Sequence, residues 1–144
     1  MRNLAYQCIH EKQVPREKII RPGSSGCVNI RKVFDPETNL THRAILAIHE
    51  HPADMDSIVP HYHRKVEETV YLISGRGEIR LGFSPEKMEK FPIREGTAWY
   101  IPPNCWHQII NQGNIALKMV VNYFNESKEP VSHTKISNEL TETI

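Results

Sequence analysis

Two histidines separated by a single residue, His61 and His63, are the first feature of this sequence that could do chemistry. On an extended segment residues i and i+2 project from the same face, so both imidazoles would aim at one cavity while Tyr62 turns the other way. Glu68 follows at the opening of an apolar segment that runs to Gly75, and its carboxylate could close on the same point. Glu67 beside it is the rival acid and is expected to face solvent. A third imidazole, His107, comes much later, after Gly96 and the run Pro102-Pro103-Asn104-Cys105-Trp106, with Asn111 four residues on. Imidazole nitrogens together with a carboxylate oxygen suit a borderline divalent ion such as Fe, Mn, Ni, Co, Cu or Zn. The three cysteines, Cys8, Cys27 and Cys105, are odd in number and lack CxxC spacing, so neither a disulfide framework nor a thiolate zinc knot is expected.

The pattern His61-x-His63-x4-Glu68-x6-Gly75, followed by Gly96-x5-Pro102-x-Asn104-x2-His107-x3-Asn111, resembles the two motifs of the cupin superfamily. Composition alone would produce the first pattern about two times in a thousand chains of this length. Two positions depart from the family pattern. Met55 stands where a glycine six residues before His61 is usual, and Asn104 replaces the glycine of the second motif. Asparagine tolerates positive φ better than most residues, so Asn104 can keep the turn. Met55 implies a different loop into the first motif.

The resemblance implies an all-β fold, a double-stranded antiparallel β-barrel of the jelly-roll cupin type with little helix. It also implies that His61, His63, Glu68 and His107 hold one divalent transition metal ion of open identity. On a six-coordinate ion these four ligands leave two positions, which could chelate a hydroxy-keto, diol or carboxylate group or seat substrate beside O2. The ligand set therefore does not choose among isomerase, lyase and dioxygenase. The expected function is that of a metal-dependent enzyme of isomerase or lyase type acting on a small oxygen-rich metabolite, the ion polarising a chelated carbonyl or enediolate. The alternatives are a non-haem Fe(II) dioxygenase and a non-catalytic protein that binds or senses a small ligand through its metal. Pairing into a homodimer is a further implication.

The elements that must position these residues are legible as short segments rich in β-branched, aromatic and Leu residues at 28–33, 41–51, 68–74, 78–83, 98–102, 106–111 and 115–124. Turn chemistry separates them, as in Asp35-Pro36-Glu37-Thr38-Asn39, Ser74-Gly75 and Asn111-Gln112-Gly113-Asn114. Closely spaced strands and turns predict an antiparallel sandwich or barrel. Its bounds are expected at 28–125, with an N-terminal extension over 1–27 that could pair with a partner subunit and a polar, loosely held tail over 126–144. His49 and His51 share strand parity; they either line the same cavity, as a general base or as support for the ligands, or sit at a half-exposed strand end. Arg80, Tyr100 and Tyr71 are candidates for binding substrate, against the plainer reading of solvated charge and barrel packing.

The chain's 144 residues fit one domain. Eighteen basic against seventeen acidic residues give a charge of +1, which offers no footprint for nucleic acid or anionic lipid. No basic-then-apolar leader opens the sequence and no apolar run approaches a membrane span, so a cytoplasmic location is expected. The eight histidines are more than solubility requires, and they cluster.

Overall fold

A computed structural model of the chain describes residues 6–20, 23–24, 26–39, 41–53, 58–125 and 131–137. Among the described residues, nine strands form two antiparallel sheets that close into a jelly-roll barrel. The larger sheet holds β1 (Glu17–Ile19), β2 (Val28–Phe34), β3 (Ile45–His51), β9 (Leu117–Asn125), β4 (Val66–Ser74) and β7 (Ala98–Ile101), in that spatial order. The smaller holds β6 (Glu89–Arg94), β5 (Arg76–Gly82) and β8 (Trp106–Asn111). Among the described residues no helix is long and apolar enough to cross a membrane.

Alternation along the strands sets the core. On β4, Val66, Glu68, Val70 and Leu72 point inward, and on β9 Leu117, Met119, Val121 and Tyr123 do the same. Trp99 and Ile101 of β7 and Ile79 of β5 complete the main apolar cluster between the sheets. The chain passes from one sheet to the other at Gly75, whose φ is 96° and whose missing Cβ would stand 2.8 Å from the Ala116 carbonyl oxygen. That combination of left-handed backbone and close approach admits only glycine.

The seven expected strands are all present, with ends shifted by a few residues, and two more were not anticipated. β6 carries Pro92 and a single buried residue, Ile93, because it is the edge of the small sheet and needs only one inward side chain. β1 has three residues and pairs with β2 of its own chain, Glu17 opposite Ile30. Ahead of it, a 3-10 turn at Glu11–Gln13 brings Val14 onto Val33 and Ile48 on the outer face of the large sheet.

In the polar tail, residues 131–137 lie against the barrel. A short helix, α1 (His133–Ser137), buries His133 completely and leaves Ile136 3% exposed in the main core. The Asp35 carboxylate accepts the His133 backbone N–H at 2.7 Å, and Lys32 Nζ donates to Thr134 Oγ1 at 2.6 Å. The 35–39 turn thus anchors the tail as well as joining strands.

Candidate metal centre

The two motifs meet through the backbone. His61 N–H donates to the His107 carbonyl at 3.1 Å and His107 N–H donates to the His61 carbonyl at 2.8 Å, an isolated antiparallel bridge. Residues 61–63 therefore do not continue a strand, as the i, i+2 spacing suggested, but the side-chain directions match that expectation. His61 and His63 face the cavity, and Tyr62 turns away to pack its ring 4.9 Å from Trp106. Asn104 adopts φ 66° and donates its N–H to the His63 carbonyl at 2.8 Å, so the asparagine keeps the turn that the motif usually gives to glycine. The loop containing Met55 lies outside the described residues.

Ring orientation is fixed by the same local carbonyls. His61 Nδ1–H donates to Val59 O at 3.0 Å, and His107 Nδ1–H donates to Cys105 O at 3.0 Å. An imidazole that donates from Nδ1 presents a lone pair at Nε2, the tautomer a metal requires. The ligating atoms of His61, His63 and His107 lie within 4.8 Å of one another, so these three residues could hold a metal ion. Glu68 enters from β4, opposite Tyr123 of β9 and Ile101 of β7 in register. Its Oε2 stands 3.9 Å from His63 Nε2 and 3.8 Å from His107 Nε2. Those separations are too long for hydrogen bonds and suit atoms that share a central cation at about 2.0–2.2 Å. Glu68 is 5% exposed; a carboxylate and imidazoles converging away from water are a donor set that fits a divalent ion. Glu67 points to the other face, where it accepts a hydrogen bond from Tyr100 OH at 2.9 Å.

A second group of imidazoles lines the cavity beside the first. His49 and His51, on inward positions of β3, are 9% and 4% exposed and so do not form a half-exposed strand end. His49 Nε2 lies 2.9 Å from Nε2 of His133, whose Nδ1 is 3.0 Å from Ser137 Oγ. Only one of two facing nitrogens can carry the proton of that contact, so the pair cannot take up a second without separating. Burial and the neighbouring His133, His51 and His63 push the His49 pKa well below its usual range. Burial lowers His51 to about 4, and burial with Lys32 nearby lowers His133 to about 3. His133 went unnoticed in the sequence because it sits in a polar tail. Its only signals there are Ser137 one helical turn on and the apolar Val131 and Ile136.

The proposed substrate-binding residues lie elsewhere. Tyr71 and Tyr100 occupy the outward parity of β4 and β7, each about half exposed, because their inward neighbours Val70, Leu72, Trp99 and Ile101 fill the barrel. Arg80 lies on the outer parity of β5 and pairs with Glu78 at 2.7 Å.

The model of the cupin domain matches residues 48–123, more than half of the chain. The chain belongs to the cupin family. This cupin is 40% identical over 60 residues to the uncharacterized protein MJ1618 of Methanocaldococcus jannaschii, a match that spans 42% of the chain and 44% of that relative. Its fold is similar to that of a Thermotoga maritima protein described as a predicted oxalate decarboxylase, with a TM-score of 0.69 at 20% identity, covering 83% of this chain and 99% of the other. It is also similar to the polyketide cyclase RemF of Streptomyces resistomycificus, with a TM-score of 0.64 at 23% identity over 88% and 90% of the two chains. The oxalate decarboxylase of Bacillus subtilis, which has Mn(II) centres, gives a TM-score of 0.57 at 21% identity over 78% and 29%. At these identities the likeness is one of fold.

Proposed function

We propose that this cupin is a divalent-metal-dependent enzyme acting on a small oxygen-rich metabolite by isomerase or lyase chemistry. The observation that carries the reading is the convergence of His61, His63 and His107 with the Glu68 carboxylate, each imidazole of the bridged pair held in the ligating tautomer by a backbone carbonyl. A divalent transition ion held by His61, His63, Glu68 and His107 would supply Lewis acidity toward a substrate oxygen, which would acidify a neighbouring C–H or weaken the bond to a carboxylate. The chain's own residues do the rest. His49, buried and neutral, lines the same cavity, and its contact with His133 orients its ring beside the ligands. The aliphatic side chains of Val28, Ile30 and Ile58 line the same cavity.

Metal analysis of protein purified without added metal, run beside His61→Ala, tests the site: a stoichiometric ion lost in the variant supports it, and equal traces in both remove it. Turnover under anaerobic conditions with Mn, Ni or Zn supports the isomerase or lyase assignment, whereas obligatory consumption of O2 with Fe(II) would assign a dioxygenase. A metal-loaded protein that binds ligands but converts none of them would be a sensor. The homodimer is supported by the aromatic residues Tyr71, Tyr100 and Phe124 on the outer face of the large sheet, and sedimentation equilibrium tests it.

A further inference from the structure

The cavity has two kinds of lining. Its imidazoles and Glu68 come from the family-matched stretch; beside them Ile19, Val28, Ile30 and Ile58 form an apolar wall, and three of these four precede residue 48 in the chain. These residues form an apolar cluster of their own with Ala47, separate from the main core. Ile19 and Val28 face each other in register across β1 and β2, and Ile30 pairs with His49 across β2 and β3. Ile58 is tied to the metal end directly: its carbonyl accepts Gln108 Nε2–H at 2.9 Å, and Gln108 neighbours His107. The wall therefore stands at a fixed position relative to the ligands.

Such a wall offers no donor or acceptor from its side chains. A charged group pressed against it loses hydration without compensation, while a methylene group gains. The cavity, about 70 Å³ in volume, is several times the space that one water molecule needs. We propose that the site selects a molecule with two adjacent oxygens at one end, which reach the metal, and a short apolar body at the other, which lies on Ile19, Val28, Ile30 and Ile58. The inference rests on the metal-site reading above and names the substrate class that the site takes. It sets this chain apart from an enzyme for a small dianion such as oxalate, which would leave the apolar wall uncovered.

The test uses the full chain loaded with Co(II), whose visible bands report changes in coordination. Titration with acetohydroxamate, butanohydroxamate, hexanohydroxamate and oxalate separates head from body, since the three hydroxamates share one chelating group. Affinity is expected to rise about fourfold for each methylene that reaches the wall. Hexanohydroxamate should therefore bind at least tenfold tighter than acetohydroxamate, and tighter than oxalate. Ile19→Ser, at a half-buried position on an edge strand, should flatten the series while retaining cobalt, and Ile58→Val should flatten it less. A flat series on the loaded wild-type protein, or oxalate binding more tightly than hexanohydroxamate, would overturn the proposal and leave the metal site standing. Failure of the wild-type chain to take up cobalt would overturn both.

Discussion

Two sets of three histidines sit side by side in this barrel, and they differ in what the second ring nitrogen does. In His61 and His107 it is spent on a backbone carbonyl, which leaves a lone pair directed at a common point near Glu68. In the other set, His49 and His133 turn ring nitrogens on each other, and the two rings with His51 are buried so deeply that all three stay neutral. A histidine count cannot distinguish these roles. What the second ring nitrogen meets, a backbone carbonyl or another imidazole, decides whether an imidazole is prepared for a cation.

The largest effect that would break this contrast is on metal. His107→Ala should take the ion content from stoichiometric to trace, whereas His133→Ala should leave it unchanged; elemental analysis of the two variants checks both halves. Loss of the ion in His133→Ala would merge the two sets into one.

Acid should act next most strongly, and through the second set. The folded pKa values of His51 and His133, about 4 and about 3, lie below the usual 6.5, so the unfolded chain binds these protons first. Neither group alters stability above about pH 7, and each costs stability as pH falls through 6.5, levelling off only near its folded value. Over two pH units the two together should remove about 5 kcal/mol, at about 1.4 kcal/mol per unit for each. Urea denaturation of metal-free protein between pH 7 and 4.5 measures this, and His51→Gln should reduce the slope.

His133→Ala itself should cost about 3 kcal/mol at pH 7, since it empties a fully buried site and leaves His49 and Ser137 without this partner. Its ¹⁵N spectrum should show a change in the His49 tautomer population, which a purely space-filling role for His133 would not produce. Smallest is Asn104→Ala, which places alanine at φ 66° and should cost about 1 kcal/mol, while Asn104→Gly should fall within a few tenths of wild type. The midpoint of thermal unfolding reports both.

Much of the site was legible because its signals are local. The motif spacing placed His61, His63, Glu68 and His107 at one cavity, and the positive φ at Asn104 followed from its residue type. The seven strands with inward β-branched or aromatic residues were legible for the same reason. β6 was not, since an edge strand with Pro92 and one buried side chain carries almost no alternation, nor was β1, which is too short to show any. His133 was hidden more deeply. Its burial depends on Asp35 and His49, 98 and 84 residues away, and no periodicity within a five-residue helix announces contacts of that range.

The reciprocal hydrogen bonds between His61 and His107 have a consequence for how the barrel breathes. They are the seam between the loop of the first motif and the strand of the second, and they belong to two of the residues that would grip the ion. Opening the seam must scatter the grip, and tightening the grip must hold the seam shut. The amide protons of these two histidines should therefore exchange with solvent more slowly once metal is added, giving the protein an internal gauge of its own loading that can be read without knowing what it turns over.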